Sequence, residues 1–191
     1  MQLNAFEKLA PYIFYAPSFL SSAHKSSILT EIDGWSDWLP AHAGKYKDDK
    51  LVSSTEVKEL RDVLVNRSSL SADNESCLGI DRALQEARSL YGLSNVIASR
   101  YVASKYTPGC HIKPHTDTDF YNTSRIFTGV YYLNEEYEGG EIYFPKFGVS
   151  LRPKAGSLLL FFSEFLHGVQ PISAGERYSV VWFGQTAQPT T

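Results

Sequence analysis

A chain of 191 residues with 43 % hydrophobic residues, 20 % charged residues and a formal net charge of −3 has the balance of one globular domain. The slight acidity offers no bulk basic face of the kind that nucleic-acid binders carry, so no nucleic-acid partner is expected. No apolar run nears the roughly 20 residues of a membrane helix, no basic-then-apolar leader opens the chain, and Cys77 and Cys110 form neither a disulfide framework nor a zinc motif; the expected setting is the cytoplasm, away from membranes.

In chain order, Pro11 to Tyr15 reads as a short strand. Ser21 or Ser22 can cap a helix that runs to about Ile32, with Gly34 as its stop. Trp35 to Val52 is a long mixed stretch that could form a lid. Ser53-x-x-Glu56 is a capping-box pattern ahead of Val57, Leu60 and Leu64, which share one helical face. Ile80, Ala83, Leu84, Ala87, Leu90 and Tyr91 keep the helical period and Gly92 closes it. Residues 1–95 thus read as a helix-rich support.

From residue 96 the texture changes. Candidate strands run over 98–106, 110–116, 125–133, 141–144, 149–152, 157–162, 168–172 and 178–183, with turn residues between them. Regular short strands of this kind argue a sandwich or barrel. The expected fold is α+β, mainly β: a double-stranded β-helix (jelly-roll, cupin-like) core over 96–185 with supporting N-terminal helices, then a tail over 186–191, all in one catalytic domain.

Within that core, His115 and Asp117 stand two apart, and residues two apart on a strand point to one face. An imidazole and a carboxylate can then converge on one ion. His167, at the head of a later strand, can supply a third ligand. Two histidines and a carboxylate make the facial triad of non-haem Fe(II) oxygenases, which leaves metal positions open for co-substrate and O2. Charge supports the assignment: Fe(II), one carboxylate and a doubly anionic 2-oxo acid sum to one net negative charge. Arg177, ten residues after His167, can neutralise it and grip a carboxylate through two N–H groups. Ser179 lies on the same face of that strand and can add a hydroxyl donor.

Several further stretches go with these residues: Tyr106-Thr-Pro-Gly, Tyr131-Tyr-Leu-Asn134, Glu138-Gly-Gly-Glu141 with Phe144-Pro145, Pro153-Lys-Ala-Gly156, Leu166-His-Gly-Val169 and Gly175-Glu-Arg-Tyr-Ser179 ending in Trp182. With them the chain resembles the Fe(II)/2-oxoglutarate dioxygenases of the prolyl-4-hydroxylase type. The resemblance implies that His115, Asp117 and His167 bind Fe(II), and that Arg177, with Tyr132, Tyr106 and Ser179, holds 2-oxoglutarate. It implies O2-dependent hydroxylation of a C–H bond, coupled to decarboxylation of 2-oxoglutarate to succinate, with ascorbate as a candidate reductant. The substrate expected is a prolyl residue of a protein or peptide, with a free amino acid or small metabolite as the alternative. Asp117, which halogenating relatives replace with Gly or Ala, favours hydroxylation.

Other residues are weaker candidates for the pocket. His111, four before His115, would face the triad on an unbroken strand. Asp119 and Arg125, with Tyr121 and Asn122, follow the H-x-D in an expected loop near the metal. Trp182 is read as packing behind Arg177. Two other functions compete. A nucleic-acid demethylase would carry a second arginine six residues after Arg177, where Phe183 stands. A cupin-like binding module would have no use for the Arg-x-Ser pair.

Overall fold

The computed structural model describes residues 6–41, 43–47, 50–54, 61–118 and 123–187, with 43–47 and 50–54 as backbone alone. In chain order the elements are β1 (Glu7–Ala10), β2 (Ile13–Ala16), α1 (Ser22–Asp33), β3 (Leu39–Pro40), β4 (Ala43–Lys47), β5 (Lys50–Ser54), β6 (Arg61–Asp62) and β7 (Leu64–Asn66). Then come α2 (Ala72–Leu78), α3 (Ile80–Tyr91), β8 (Val96–Ala98), β9 (Val102–Tyr106), β10 (His111–His115), β11 (Arg125–Tyr132), β12 (Tyr137–Gly139) and β13 (Ile142–Phe144). Last are β14 (Val149–Leu151), β15 (Ser157–Phe162), β16 (His167–Val169), β17 (Ile172–Gly175) and β18 (Arg177–Thr186).

Two antiparallel sheets make the jelly roll. The major sheet runs β1-β2-β15-β11-β18-β9-β7-β3, with β8 also on β18; the minor sheet runs β14-β13-β16-β10-β6. Side-chain alternation along β18 divides its residues between two environments. Tyr178, Val180 and Trp182 face outward into an apolar layer with Ile28 and Ile32 of α1 and Ala83, Leu84 and Ala87 of α3. Arg177, Ser179, Val181 and Phe183 face inward and line a pocket between the sheets. Each large aliphatic side chain fully buried in the outer layer, Leu158 and Leu160 among them, contributes roughly 1.5–3 kcal/mol. The fit there is close: a Cβ on Gly129 would collide with the Trp182 indole, and one on Gly184 with the Phe127 ring.

The helices form where their caps allow. Ser21 Oγ accepts from the His24 N–H at 3.1 Å to open α1, and Gly34 closes it. Gly92, at φ +67°, takes the left-handed conformation that ends α3. The sequence does not announce α2, because seven residues with little apolar content carry no period. Tertiary contacts hold it instead: Ser71 Oγ and Asn74 Nδ2 both donate to Glu31 of α1, at 2.8 and 2.6 Å.

Several expectations change. The strand expected over 98–106 is broken between β8 and β9, and the one expected over 168–172 is divided between β16 and β17. The helix expected after Ser53 is not seen where it is described: Ser53 lies in β5 and Leu64 in β7, while 55–60, with Val57 and Leu60, lie outside the described residues. Of the stretch read as a lid, Trp35 and Trp38 pack against the helix-side core, and the β4–β5 hairpin occupies its later part.

One irregularity positions the site. In the pairing of β10 with β16, Ile112 opposes Val169 and His115 opposes His167, so β10 holds one residue more than its partner over this interval. This is a β-bulge, and it inverts the alternation along β10. Pro114, which has no N–H for the ladder, lies within it. Ile112 and His115 therefore both face the pocket despite being three apart.

Candidate metal centre and co-substrate pocket

The sheets enclose a cavity of about 180 Å³ whose wall includes His115, Asp117, His167, Arg177, Ser179, Tyr132 and Tyr106. One nitrogen of each of the two imidazoles and one oxygen of Asp117 lie within 4.8 Å of one another. His115 Nε2 is 3.5 Å from Asp117 Oδ1, and His167 Nε2 is 3.6 Å from Asp117 Oδ2.

Backbone carbonyls fix both rings. His115 Nδ1 lies 3.1 Å from the Lys113 carbonyl oxygen and His167 Nδ1 lies 2.9 Å from that of Phe165. Each carbonyl requires a proton on Nδ1, which leaves the Nε2 lone pair for an ion. Asp117 stands just past the end of β10, where its N–H donates to the Ser163 carbonyl at 2.8 Å. Thr128 Oγ1 donates to Asp117 Oδ2 at 2.7 Å and lies 2.9 Å from Ser163 Oγ. With Thr128 giving its proton to the carboxylate, Ser163 is the donor to Thr128, and the relay holds Oδ2 while Oδ1 stays open to a metal.

The sequence reading missed Thr128, although its place on β11 with alternate residues facing the pocket was the available signal. Replacing Thr128 with valine is expected to weaken Fe(II) binding by about 10–100-fold, as loss of a residue hydrogen-bonded to a ligand does. Metal titration of the anaerobic protein measures this, and an unchanged affinity would remove Thr128 from the site.

Burial alone would raise the Asp117 pKa, but the charge of His167, the contact with His115 and the Thr128 hydroxyl outweigh it and hold the carboxyl below the usual range. Burial pushes His167 down to about 4, with Asp117 opposing and His115 reinforcing the shift. Between the ordinary value of 6.5 and the folded value near 4, the unfolded chain binds the extra proton, so stability is lost as pH falls through this window. The metal-free protein is therefore expected to melt at progressively lower temperature from pH 6.5 to pH 4. The slope should flatten in His167→Gln; an equal slope in both proteins would refute the assignment.

Deeper in the pocket, Arg177 is 2 % exposed. Its guanidinium lies 4.0 Å above the Tyr106 ring centroid and 5.4 Å from that of Tyr132, and Nη1 donates to the Gly140 carbonyl at 2.7 Å. Arg177 Nε and Ser179 Oγ are buried without a hydrogen-bond partner. Unpaired buried polar atoms cost about 1–3 kcal/mol each, so two of them on neighbouring inward positions suit a ligand with a carboxylate. Burial pushes the Tyr132 phenol up, with Arg177 opposing, so it stays protonated as a donor.

The weaker candidates separate. Arg125 reaches the pocket because a register shift between it and Phe127 turns it inward; its Nη1 donates to the Asp117 carbonyl at 3.0 Å and its guanidinium stacks 3.7 Å over Phe183. His111 is corrected: the β10 bulge inverts the alternation, so it does not line the pocket, and its Nδ1 lies 3.0 Å from the Gly109 carbonyl oxygen. Trp182 is also corrected as a pocket residue, because it stands on the outward face of β18 and is fully buried in the helix-side core. Asp119, Tyr121 and Asn122 lie outside the described residues.

Residues 101–184 match the 2OG-Fe(II) oxygenase superfamily. A PKHD-type hydroxylase of Crocosphaera subtropica is 27 % identical over 169 residues, which cover 70 % of this chain and 74 % of the relative. The other curated relatives, all prolyl or PKHD-type hydroxylases, are matched over 40 % of their own length or less. A Pseudomonas putida prolyl-4-hydroxylase superposes with a TM-score of 0.71 at 20 % identity, covering 93 % of this chain and 94 % of that one. A Trichoplax adhaerens prolyl hydroxylase, solved with a hypoxia inducible factor oxygen degradation domain peptide fragment, gives a TM-score of 0.63 at 19 % identity, over 92 % and 84 % of the two chains. At these identities the two structures speak to the fold. Among the described residues, no helix is long and apolar enough to cross a membrane.

Proposed function

We propose that this chain, a prolyl-4-hydroxylase-like member of the 2OG-Fe(II) oxygenases, hydroxylates a prolyl residue of a protein or peptide while 2-oxoglutarate is oxidised to succinate and CO2. One oxygen atom of O2 enters the substrate as hydroxyl and the other enters succinate, so the two oxidations balance. The carrying observation is a single pocket that holds both a His-Asp-His donor set and, beside it, a buried arginine and serine with unpaired polar atoms. Peptide hydroxylation draws support from the prolyl hydroxylases among its relatives, one of them solved with a peptide.

His115 Nε2, His167 Nε2 and one Asp117 oxygen would hold Fe(II), which when bound supplies O2 activation that no side chain can provide. The protein's own contributions are positional and electrostatic. Lys113 and Phe165 carbonyls keep both imidazoles in the ligating tautomer. Thr128 and Ser163 orient the carboxylate. Arg177, backed by Tyr106 and Tyr132, would take the distal carboxylate of 2-oxoglutarate, and Ser179 and the Tyr132 phenol would add neutral donors. Val130, Ile142, Phe161 and Val169 give the wall an apolar part, which limits water there. Ascorbate would serve as reductant.

The test begins with the anaerobic protein, Fe(II) and 2-oxoglutarate, where a weak visible charge-transfer band is expected. Prolyl peptides should then stimulate succinate release in air. Absence of the band in folded, iron-loaded protein would overturn the co-substrate assignment. A band with stimulation by free amino acids but by no peptide would move the substrate to the small-molecule class.

A further inference from the structure

The charge count of the pocket does not end with Arg177. Asp117, Fe(II), 2-oxoglutarate and Arg177 sum to zero, and the Arg125 guanidinium is taken up by the Asp117 carbonyl and the Phe183 ring, yet Arg61 and Arg67 also line the cavity. Among the described residues neither guanidinium has a carboxylate partner, since the three ion pairs there involve Lys105, His115 and His167. Arg61 Nε is moreover buried with no hydrogen-bond partner. Arg61 is half-buried and Arg67 exposed at the pocket rim, so the cost falls on the buried Arg61 Nε, which is unfavourable unless something pairs with it.

The backbone explains why both arginines face the pocket. Arg61 opposes Ile112 on the edge of the minor sheet, and directly opposed residues share a face; Ile112 points into the pocket. Four residues on, the chain has crossed to the major sheet, where Val65 opposes Ser104 and both line the pocket. Val63, 1 % exposed, anchors the crossing in the core. Arg61 and Arg67 thus stand at the two ends of one short segment that joins the sheets.

We propose that Arg61 and Arg67 form an anion subsite, distinct from that of Arg177, which receives a carboxylate carried by the substrate and so places the target C–H bond beside the metal. The inference rests on the oxygenase reading above and narrows it: the substrate is acidic close to its site of hydroxylation. A carboxylate there could belong to an acidic residue next to proline in a peptide or to a free amino acid; the chemistry recognised is the same. Arginine forks suit it because they bind both carboxylate oxygens at once. Neutral wall residues opposite would have left peptide recognition to backbone contacts alone.

The test uses the whole chain, loaded anaerobically with Fe(II) and 2-oxoglutarate, and two isosteric probe pairs: the blocked peptides Ala-Pro-Asp and Ala-Pro-Asn, and L-proline with L-prolinamide. Binding is followed by calorimetry, and KM by succinate release in air. The acid of at least one pair is expected to bind at least tenfold more tightly than its amide. Arg61→Gln should erase that preference by weakening the acid and not the amide, Arg67→Gln should reduce it, and Arg61→Lys should restore part of it. The pair that discriminates tells peptide from free amino acid. Equal binding of acid and amide in both pairs, no binding of any probe, or a preference that survives Arg61→Gln overturns the subsite. The charge-transfer band separates the two failures: with the band present only this inference falls, and without it the oxygenase reading falls as well.

Discussion

Asp117→Ala protein is expected to lose stable Fe(II) binding and to turn over at least about a thousandfold more slowly, well beyond the roughly 10–100-fold that follows loss of a residue hydrogen-bonded to a ligand. Three effects combine. The only anionic donor of the triad disappears, so the ion would meet two neutral imidazoles and no charge from the protein. The Thr128 hydroxyl loses its acceptor inside a buried relay. The charge that opposes the burial of His167 is also removed. Asp117→Asn separates charge from shape, because it can keep an oxygen towards Thr128 while removing the negative charge; it should fold like the parent and still bind iron poorly. Iron content after anaerobic loading and dialysis is the measurement. Stoichiometric iron in Asp117→Ala would show that the ion is held elsewhere.

Arg177→Ala is the second large effect. Removing one partner of a buried charge pair costs about 3–5 kcal/mol, so the KM for 2-oxoglutarate should rise by two orders of magnitude or more, with a smaller change in iron affinity. Part of the loss is structural, since the guanidinium also satisfies the Gly140 carbonyl and fills the space between Tyr106 and Tyr132. Arg177→Lys distinguishes the two contributions. It keeps the charge but not the fork, and its KM should lie between those of the parent and the alanine variant. If Arg177→Ala binds 2-oxoglutarate normally, the distal carboxylate lies elsewhere in the pocket.

Much of this site could be read from the chain because its signals are local. Arg177-x-Ser179 places its members two apart, and strand periodicity carries that spacing directly into a shared face; His115-x-Asp117 is as close in sequence, though Asp117 stands just past the end of β10. The caps of α1 and α3 are equally local. What escaped depends on contacts between distant segments. Alternation along β11 turns Thr128 towards the pocket, but its bond to Asp117 joins residues carried by two different sheets, and no spacing in the sequence states that. Arg61, on a strand of two residues, and Arg67, just past a strand of three, lie in a stretch without period, and gain meaning only once the segment is seen to join the sheets. His111 was misplaced because a bulge looks, in sequence, like any other stretch of strand. Trp182 shows the reverse case: the alternation that sets Arg177 inward sets Trp182 outward.

The bulge in β10 also limits how this chain can change. Side-chain identity at Lys113, exposed and outside the pocket wall, is free to drift, but the bulge itself is not. At the present length, drawing the strand into simple alternation would turn His115 to the opposite face while Ile112 stayed in place, and the metal centre would be lost with every one of its ligands still encoded. Removing one of the two residues between them would instead set Ile112 and His115 two apart, a spacing that shares a face with no bulge at all. In this segment a substitution that straightens the backbone is a more damaging event than the loss of a residue.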